Sequence, residues 1–295
     1  MKFYHGMRKT HEYFEGWYFK HQEKDKIISF IPGISIDQNG CKVGFIQVIT
    51  NGTSYFVSYP YKQCYFDKRN LYIRIGRNLF THRGIKIDIK RSELNIKGKL
   101  YYGKLSKLDY DIMGPFKLLP CMECNHRVYS LSHKVVGELI INKEAMDFMD
   151  GTGYIESDWG SSFPHQYLWS QCNYFKNKAG SVMISIATIP MLKYSFTGCI
   201  GVIQYNNKQM RFATYLGAKV IFYNGDGCLI QQGKYKLYVR IKSDKVNELK
   251  APKSGDMIRK IDEGIICFTK YQLYKNDSLI LSLTSNHTSM EYVKM

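Results

Sequence analysis

The stretch Gly153–Phe175, GYIESDWGSSFPHQYLWSQCNYF, sets Glu156, Asp158, His165, Gln171 and Asn173 among Trp159, Tyr167 and Trp169. It holds two of the chain's three tryptophans. Near the N-terminus YFEGWYF (Tyr13–Phe19) places Glu15 beside Trp17 in the same manner. A carboxyl group walled by aromatic rings loses solvation, which disfavours its charged form and raises its pKa. It then keeps its proton near neutral pH and serves as a general acid. Ring faces beside it attract a cation, by about 2 kcal/mol or more once water is removed. These are the parts needed to protonate an alkene and hold the carbocation until a nucleophile closes on it. The same residues also suit a structural role, with Trp17 and Trp159 as core anchors and Glu15 and Asp158 paired with Lys or Arg.

Other chemistries find less in the chain. No G-x-S-x-G nucleophile elbow occurs. Gly151-Thr152-Gly153 and Gly225-Asp226-Gly227 lack the remainder of a phosphate-binding pattern. Cys121 and Cys124 form the one C-x-x-C pair, with His126 two residues beyond, but no second ligand pair follows at zinc spacing. The expectation is a protein without metal or cofactor, its eight cysteines free thiols in a reducing compartment. The first twenty residues contain no apolar run of signal-peptide type. The longest apolar stretch, Val182 to Leu192, is too short to cross a bilayer. A cytoplasmic location is expected.

The elements that must position these groups are strands. Tyr (24) and Phe (16) are abundant, and no ten-residue segment carries a helical stripe. Apolar runs such as Ile27–Pro32, Gly44–Thr50, Val135–Ile141 and Leu279–Thr284 recur between turn signals including Asn39-Gly40, Asn51-Gly52 and Asn276-Asp277. An all-β protein built of antiparallel sheets or barrels follows. Tyr18-Phe19-Lys20, Ile28–Pro32 and Gly44–Ile49 return as Tyr174-Phe175-Lys176, Ile184–Pro190 and Gly198–Ile203, at an offset near 156. The repeat predicts two tandem β-barrel or sandwich domains, 1–152 and 153–295, with a pocket at or near their junction.

The net charge of +17 is uneven. Between Lys62 and Asp109 thirteen Lys/Arg face four Asp/Glu. The pattern there has period two, as in Ile85-Lys86-Ile87-Asp88-Ile89-Lys90, with apolar side chains to one face and basic ones to the other. Such a face is either simply solvated or a surface for peripheral contact with an anionic membrane. Nucleic acid is not an expected partner, because lysine dominates and no nucleic-acid-binding motif accompanies it.

Six segments in order, YFEGWYFK (Tyr13–Lys20), FIPGIS (Phe30–Ser35), MGPF (Met113–Phe116), PCMECNH (Pro120–His126), Gly151–Phe175 and SIATIP (Ser185–Pro190), make the chain resemble the tocopherol cyclase family. That family is similar to a wider group of two-domain, lipocalin-like β proteins that includes carotenoid hydratases. The resemblance implies two β-barrel-like domains and a cofactor-independent, proton-initiated cyclisation or isomerisation of a prenylated, isoprenoid aromatic substrate. A proton adds to a trisubstituted double bond, and the phenol oxygen attacks the tertiary cation. On the chemistry, Asp158 is the first choice of proton donor, with Glu156 and Glu15 in reserve. Trp17, Trp159 and Trp169 would wall the cation, with Tyr167 beside them. His165, Gln171 and Asn173 would orient a phenol or relay its proton, and Glu123 with His126 would form a second polar cluster. The rival function is a lipocalin-like carrier that binds a hydrophobic small molecule without transforming it.

Overall fold

β-Branched and aromatic residues extend the chain wherever Asn, Asp and Gly do not turn it. The computed structural model describes residues 2–50, 52–119, 122–175, 178–191, 194–243 and 246–294. Of the residues singled out above, Asn51, Pro120, Cys121, Lys176 and Leu192 lie outside them. Helical pieces among the described residues are 3-10 turns of three to five residues. None is long and apolar enough to cross a membrane.

Two units are built by contact. The first comprises residues 1–107, 126–163 and 250–259. Its antiparallel strands are β1 (Tyr13–Glu23), β2 (Lys26–Ile36), β3 (Lys42–Thr50), β4 (Thr53–Pro60), β5 (Cys64–Phe66), β6 (Tyr72–Ile75), β7 (Asn78–Thr81), β8 (Gly84–Lys90), β9 (Asn95–Tyr102), β10 (Cys124–Ile141) and β11 (Glu144–Gly160). They form one sheet in the order β4-β3-β2-β1-β11-β10-β9-β8-β7-β6-β5, curled into a nearly closed barrel. Its core gathers Trp17, Phe19, Phe30, Ile46, Phe80 and Leu100.

The second unit comprises residues 108–125, 164–249 and 260–295. The strands of the second sheet are β12 (Tyr167–Cys172), β13 (Gly180–Met191), β14 (Tyr194–Tyr205), β15 (Lys208–Ala213), β16 (Lys219–Asn224), β17 (Gly227–Gln232), β18 (Tyr235–Lys242), β19 (Asn247–Lys253), β20 (Asp256–Lys275) and β21 (Ser278–Val293), of which residues 250–259 group with the first unit. The order is β15-β14-β13-β12-β21-β20-β18-β17-β16, with β19 beside β20. Leu168, Ile184, Phe212, Ile230 and Tyr271 lie in its core.

The two sheets repeat one topology. Each opens with a four-strand meander whose first strand pairs with the last strand of its sheet: β1 with β11, β12 with β21. β1 starts at Tyr13 and β12 at Tyr167, β2 at Lys26 and β13 at Gly180, close to the offset in the sequence repeat. The 152/153 position falls inside β11, and residues 250–259 group with the first unit. There the Gln47 side chain donates to the Lys250 carbonyl (2.8 Å) and accepts from the Lys250 N–H (2.9 Å).

Hairpin turns are set by residues that tolerate positive φ. Asn142-Lys143 (φ 50° and 78°) joins β10 to β11, and Asn276-Asp277 (47° and 62°) joins β20 to β21. The alternating pattern of β8 is realised, with Ile85, Ile87 and Ile89 buried and Lys86 and Lys90 exposed. β1, β2, β3 and β12 differ, being buried on both faces along most of their length. The seven described cysteines are free thiols.

Candidate functional site

In an antiparallel pair, residues directly opposite share a face, and successive residues along a strand alternate faces. β1 and β11 pair Trp17 with Ser157, Glu15 with Trp159, Tyr18 with Glu156 and Gly16 with Asp158. Trp17 belongs to the core of the first unit and Trp159 packs against it. Glu156 and Asp158 therefore point to the opposite side of the sheet, with Tyr18, Tyr154 and the fully buried Lys20. The strand period separates the indoles from the carboxylates that the sequence sets beside them.

On the carboxylate side, β10 lies next to β11 and supplies His126. Its Nδ1 is 2.8 Å from Asp158 Oδ1, and its Nε2 is 3.3 Å from Glu156 Oε2. The Tyr154 hydroxyl donates to the same Glu156 oxygen at 2.5 Å. The imidazole is buried, Glu156 is 5% exposed and Asp158 24%, so the cluster opens toward solvent only at Asp158. Burial by itself pulls the His126 pKa down, but Asp158 and then Glu156 overcome it and carry it up to about 10. Burial also lifts the Glu156 carboxyl above its usual value, although the His126 cation draws it back. The Tyr154 phenol is pushed far above its normal range by burial and by Glu156. His126, Tyr154 and Glu156 thus hold their protons more tightly than the same groups would in water. The donor atoms of His126, Glu156 and Asp158 also lie within 4.8 Å of one another, a spacing that suits a metal ion.

Glu15 belongs to the core side. Its carboxylate accepts from the His5 N–H (2.8 Å), the Gly6 N–H (3.2 Å) and the Tyr13 hydroxyl (2.6 Å), and meets His5 Nδ1 at 2.8 Å. His5 stacks on Trp159 with ring centroids 4.0 Å apart, and the Arg127 guanidinium lies over the same indole at 5.4 Å. These bonds fasten the N-terminal segment to β1. Trp17 stacks on Phe66 (5.6 Å) in the core. Trp17→Ala is expected to cost about 3–5 kcal/mol of stability, read as a lowered urea midpoint. A loss under 1 kcal/mol would remove Trp17 from the load the core carries.

The remaining residues named from the sequence lie in the second unit. Tyr167, Trp169 and Gln171 share one face of β12, and Leu168 and Cys172 face the core. The Tyr167 hydroxyl donates to Glu291 Oε2 at 2.7 Å, and Trp169 stands opposite Glu291. Glu291 stands in turn opposite the buried Glu263. Asn173 is buried just past the end of β12, His165 is exposed in the bend before it, and Glu123 is half-buried ahead of β10. Sequence reasoning passed over Tyr18, Lys20 and Tyr154. The signal was present in the spacing Tyr154-Glu156-Asp158, three polar groups on one face of an extended strand.

Fold and cluster together define a two-unit, lipocalin-like β protein with a buried acid–imidazole group on its first sheet. Residues 82–215, a little under half of the chain, match the family model described as tocopherol cyclase-like, and the match takes in both β10 and β11. The chloroplastic tocopherol cyclase of Zea mays is 24% identical over 101 residues, 34% of this chain and 21% of that protein. The aligned part thus spans about a fifth of the curated relative. Among solved structures, an AttH protein of Nitrosomonas europaea is 10% identical with a TM-score of 0.58, covering 95% of this chain and 93% of that one. Kievitone hydratase of Nectria haematococca is 9% identical with a TM-score of 0.53, covering 95% and 88%. At such identities the two structures speak for the fold.

Proposed function

We propose that the chain catalyses a cofactor-independent, proton-initiated cyclisation or isomerisation of a prenylated aromatic substrate. The observation that carries this is the buried His126–Glu156–Asp158 cluster with Tyr154 on Glu156. Glu156, deeper than Asp158 and raised by burial, is the proton donor in this scheme. Its proton adds to the less substituted alkene carbon and leaves a tertiary cation beside the Tyr18 and Tyr154 rings. The phenol oxygen closes on that cation, and its proton passes through Asp158 to His126 Nδ1 while His126 Nε2 returns a proton to Glu156. Atoms balance, the acid is regenerated and the product has the mass of the substrate. The match to the tocopherol cyclase-like family supports the substrate class.

The test is incubation of the chain with a prenylated hydroquinone. A chromatographically new product of unchanged mass is expected. If no product forms while an apolar molecule co-purifies with the chain, the carrier function replaces the enzymatic one. Metal dependence separates acid catalysis from metal catalysis at the same residues. A metal ion displaces the protons of its ligands. Added Zn²⁺ is therefore expected to inhibit, and EDTA to leave turnover unchanged. Turnover that a chelator abolishes and Zn²⁺ restores would hand the site to a metal.

A further inference from the structure

We infer that the outward face of β5–β9 docks on a membrane surface that carries anionic phospholipid. The face is read from strand register. Tyr65 stands opposite Arg74, Arg74 opposite Leu79, Leu79 opposite Lys86 and Lys86 opposite Lys99. This row crosses five strands on the side away from the core, because its neighbours Ile73, Ile75, Phe80, Ile85 and Leu100 are buried. A second row runs Tyr72, Thr81, Gly84, Tyr101, Val136. Tyr65, Tyr72, Tyr101 and Val136 are exposed by 47%, 38%, 55% and 43%. Arg74, Lys86, Lys97 and Lys99 are exposed among them.

The acidic groups of this face are largely spoken for. Asp88 meets Arg77 at 3.5 Å. Asp67 Oδ1 accepts from the Arg69 and Asn70 N–H groups at 2.7 Å each. Glu138, opposite Lys99, is the exposed carboxylate at its margin. At one end of this face lies a surface groove of about 530 Å³ lined by Tyr65, Asp67, Tyr72, Thr81, His82 and Arg83, with Asn70 and Leu71 at its edge. Arg83 and His82 supply donors for a phosphate beside Asp67, whose carboxylate is already held by the Arg69 and Asn70 N–H groups, and the tyrosines fit the interface, where ring and hydroxyl meet different solvents. Lysines spread over a sheet face attract an anionic surface as a sum, each contributing through charge and none through directed bonds. A duplex would be read in its groove by a helix or a two-stranded ribbon, whereas these residues lie across the face of a sheet.

The experiment is flotation of the full chain with vesicles of phosphatidylcholine alone and with added phosphatidylserine. The chain is expected to float with the serine-containing vesicles only. It is expected to be released as salt rises toward 1 M, where the screening length falls to about 3 Å. Lys86→Ala with Lys99→Ala is expected to weaken binding about thirtyfold. Lys208→Ala with Lys234→Ala, an equal loss of charge at exposed positions of the second unit, is expected to leave it unchanged. Both pairs are exposed, and an unchanged thermal midpoint establishes that each variant is folded. Equal binding to neutral vesicles, no binding to either, equal losses in the two double variants, or retention on duplex DNA with none on serine-containing vesicles would each overturn the assignment.

Discussion

As pH falls below about 6.5, the folded chain is expected to lose stability with a slope on the order of 2.7 kcal/mol per pH unit, equivalent to two protons. The source is a pair of buried histidines in the first unit. His21 is fully buried, with Nδ1 3.2 Å from the Ile28 carbonyl and Nε2 2.6 Å from the Tyr102 hydroxyl. A carbonyl only accepts, so Nδ1 carries the hydrogen and Nε2 accepts from Tyr102. His133 Nδ1 meets Ser130 Oγ at 3.0 Å, and that hydroxyl donates to the Ser132 carbonyl. His133 Nδ1 must then be the donor, which leaves Nε2 bare and buried over Gly153. Protonation of His133 puts an N–H where no acceptor waits, and protonation of His21 buries a charge beside a neutral hydroxyl and carbonyl with its bond to Tyr102 reversed.

Burial accordingly lowers both pKa values to about 3, from 6.5 in water. Between those pH values the unfolded chain binds protons that the native one refuses. The stability from both rings is complete above pH 6.5 and is lost as pH falls toward 3. His126 runs the other way. Its raised pKa gives stability that is complete below pH 6.5 and lost as pH rises through about 10. Stability should therefore peak between slightly acid and neutral pH. Urea midpoints measured against pH give the slope, and His133→Gln should remove about half of it. A slope untouched by this substitution and by His21→Gln together would show that neither ring resists its proton.

The architecture was legible because most of it obeys simple alternation. Runs such as Val135–Ile141 and Leu279–Thr284 fall inside β10 and β21, and Asn276-Asp277 turns where its positive φ allows. The strands that carry the cluster were harder to read. β1 mixes Glu15, Lys20, His21 and Gln22 with aromatics and buries them all, so no polar face marks it. Its sequence reads as a reactive motif before it reads as a strand. Period two applied to Glu156-Ser157-Asp158-Trp159 would have separated the carboxylates from the indole in advance. What spacing along one strand could not show is the neighbour. His126 reaches Glu156 and Asp158 only because β10 lies beside β11, a pairing across a hairpin whose register depends on Asn142-Lys143.

Glu156→Gln is expected to lower turnover of a prenylated hydroquinone by about a thousandfold, within the range that a positioned general acid supplies. Glutamine keeps the shape and can still accept from the Tyr154 hydroxyl, so the fold and substrate affinity should persist while the proton is gone. Asp158→Asn should cost less, about tenfold to a hundredfold, because Asp158 works through His126 Nδ1 at 2.8 Å and not on the alkene. Its effect should appear in the pH profile, since without Asp158 the His126 proton is held less tightly. His126→Leu differs in kind. It leaves the buried Glu156 and the partly exposed Asp158 with no cation between them, and removal of one partner from a buried group of this kind costs about 3–5 kcal/mol. Loss of activity in that variant would thus be accompanied by loss of stability, which Glu156→Gln should not show. Wild-type turnover in Glu156→Gln, with a protein that unfolds normally, would move the proton to another group. Because Glu15 is saturated by four contacts on the far side of the sheet, Asp158 would be the carboxylate left to carry it.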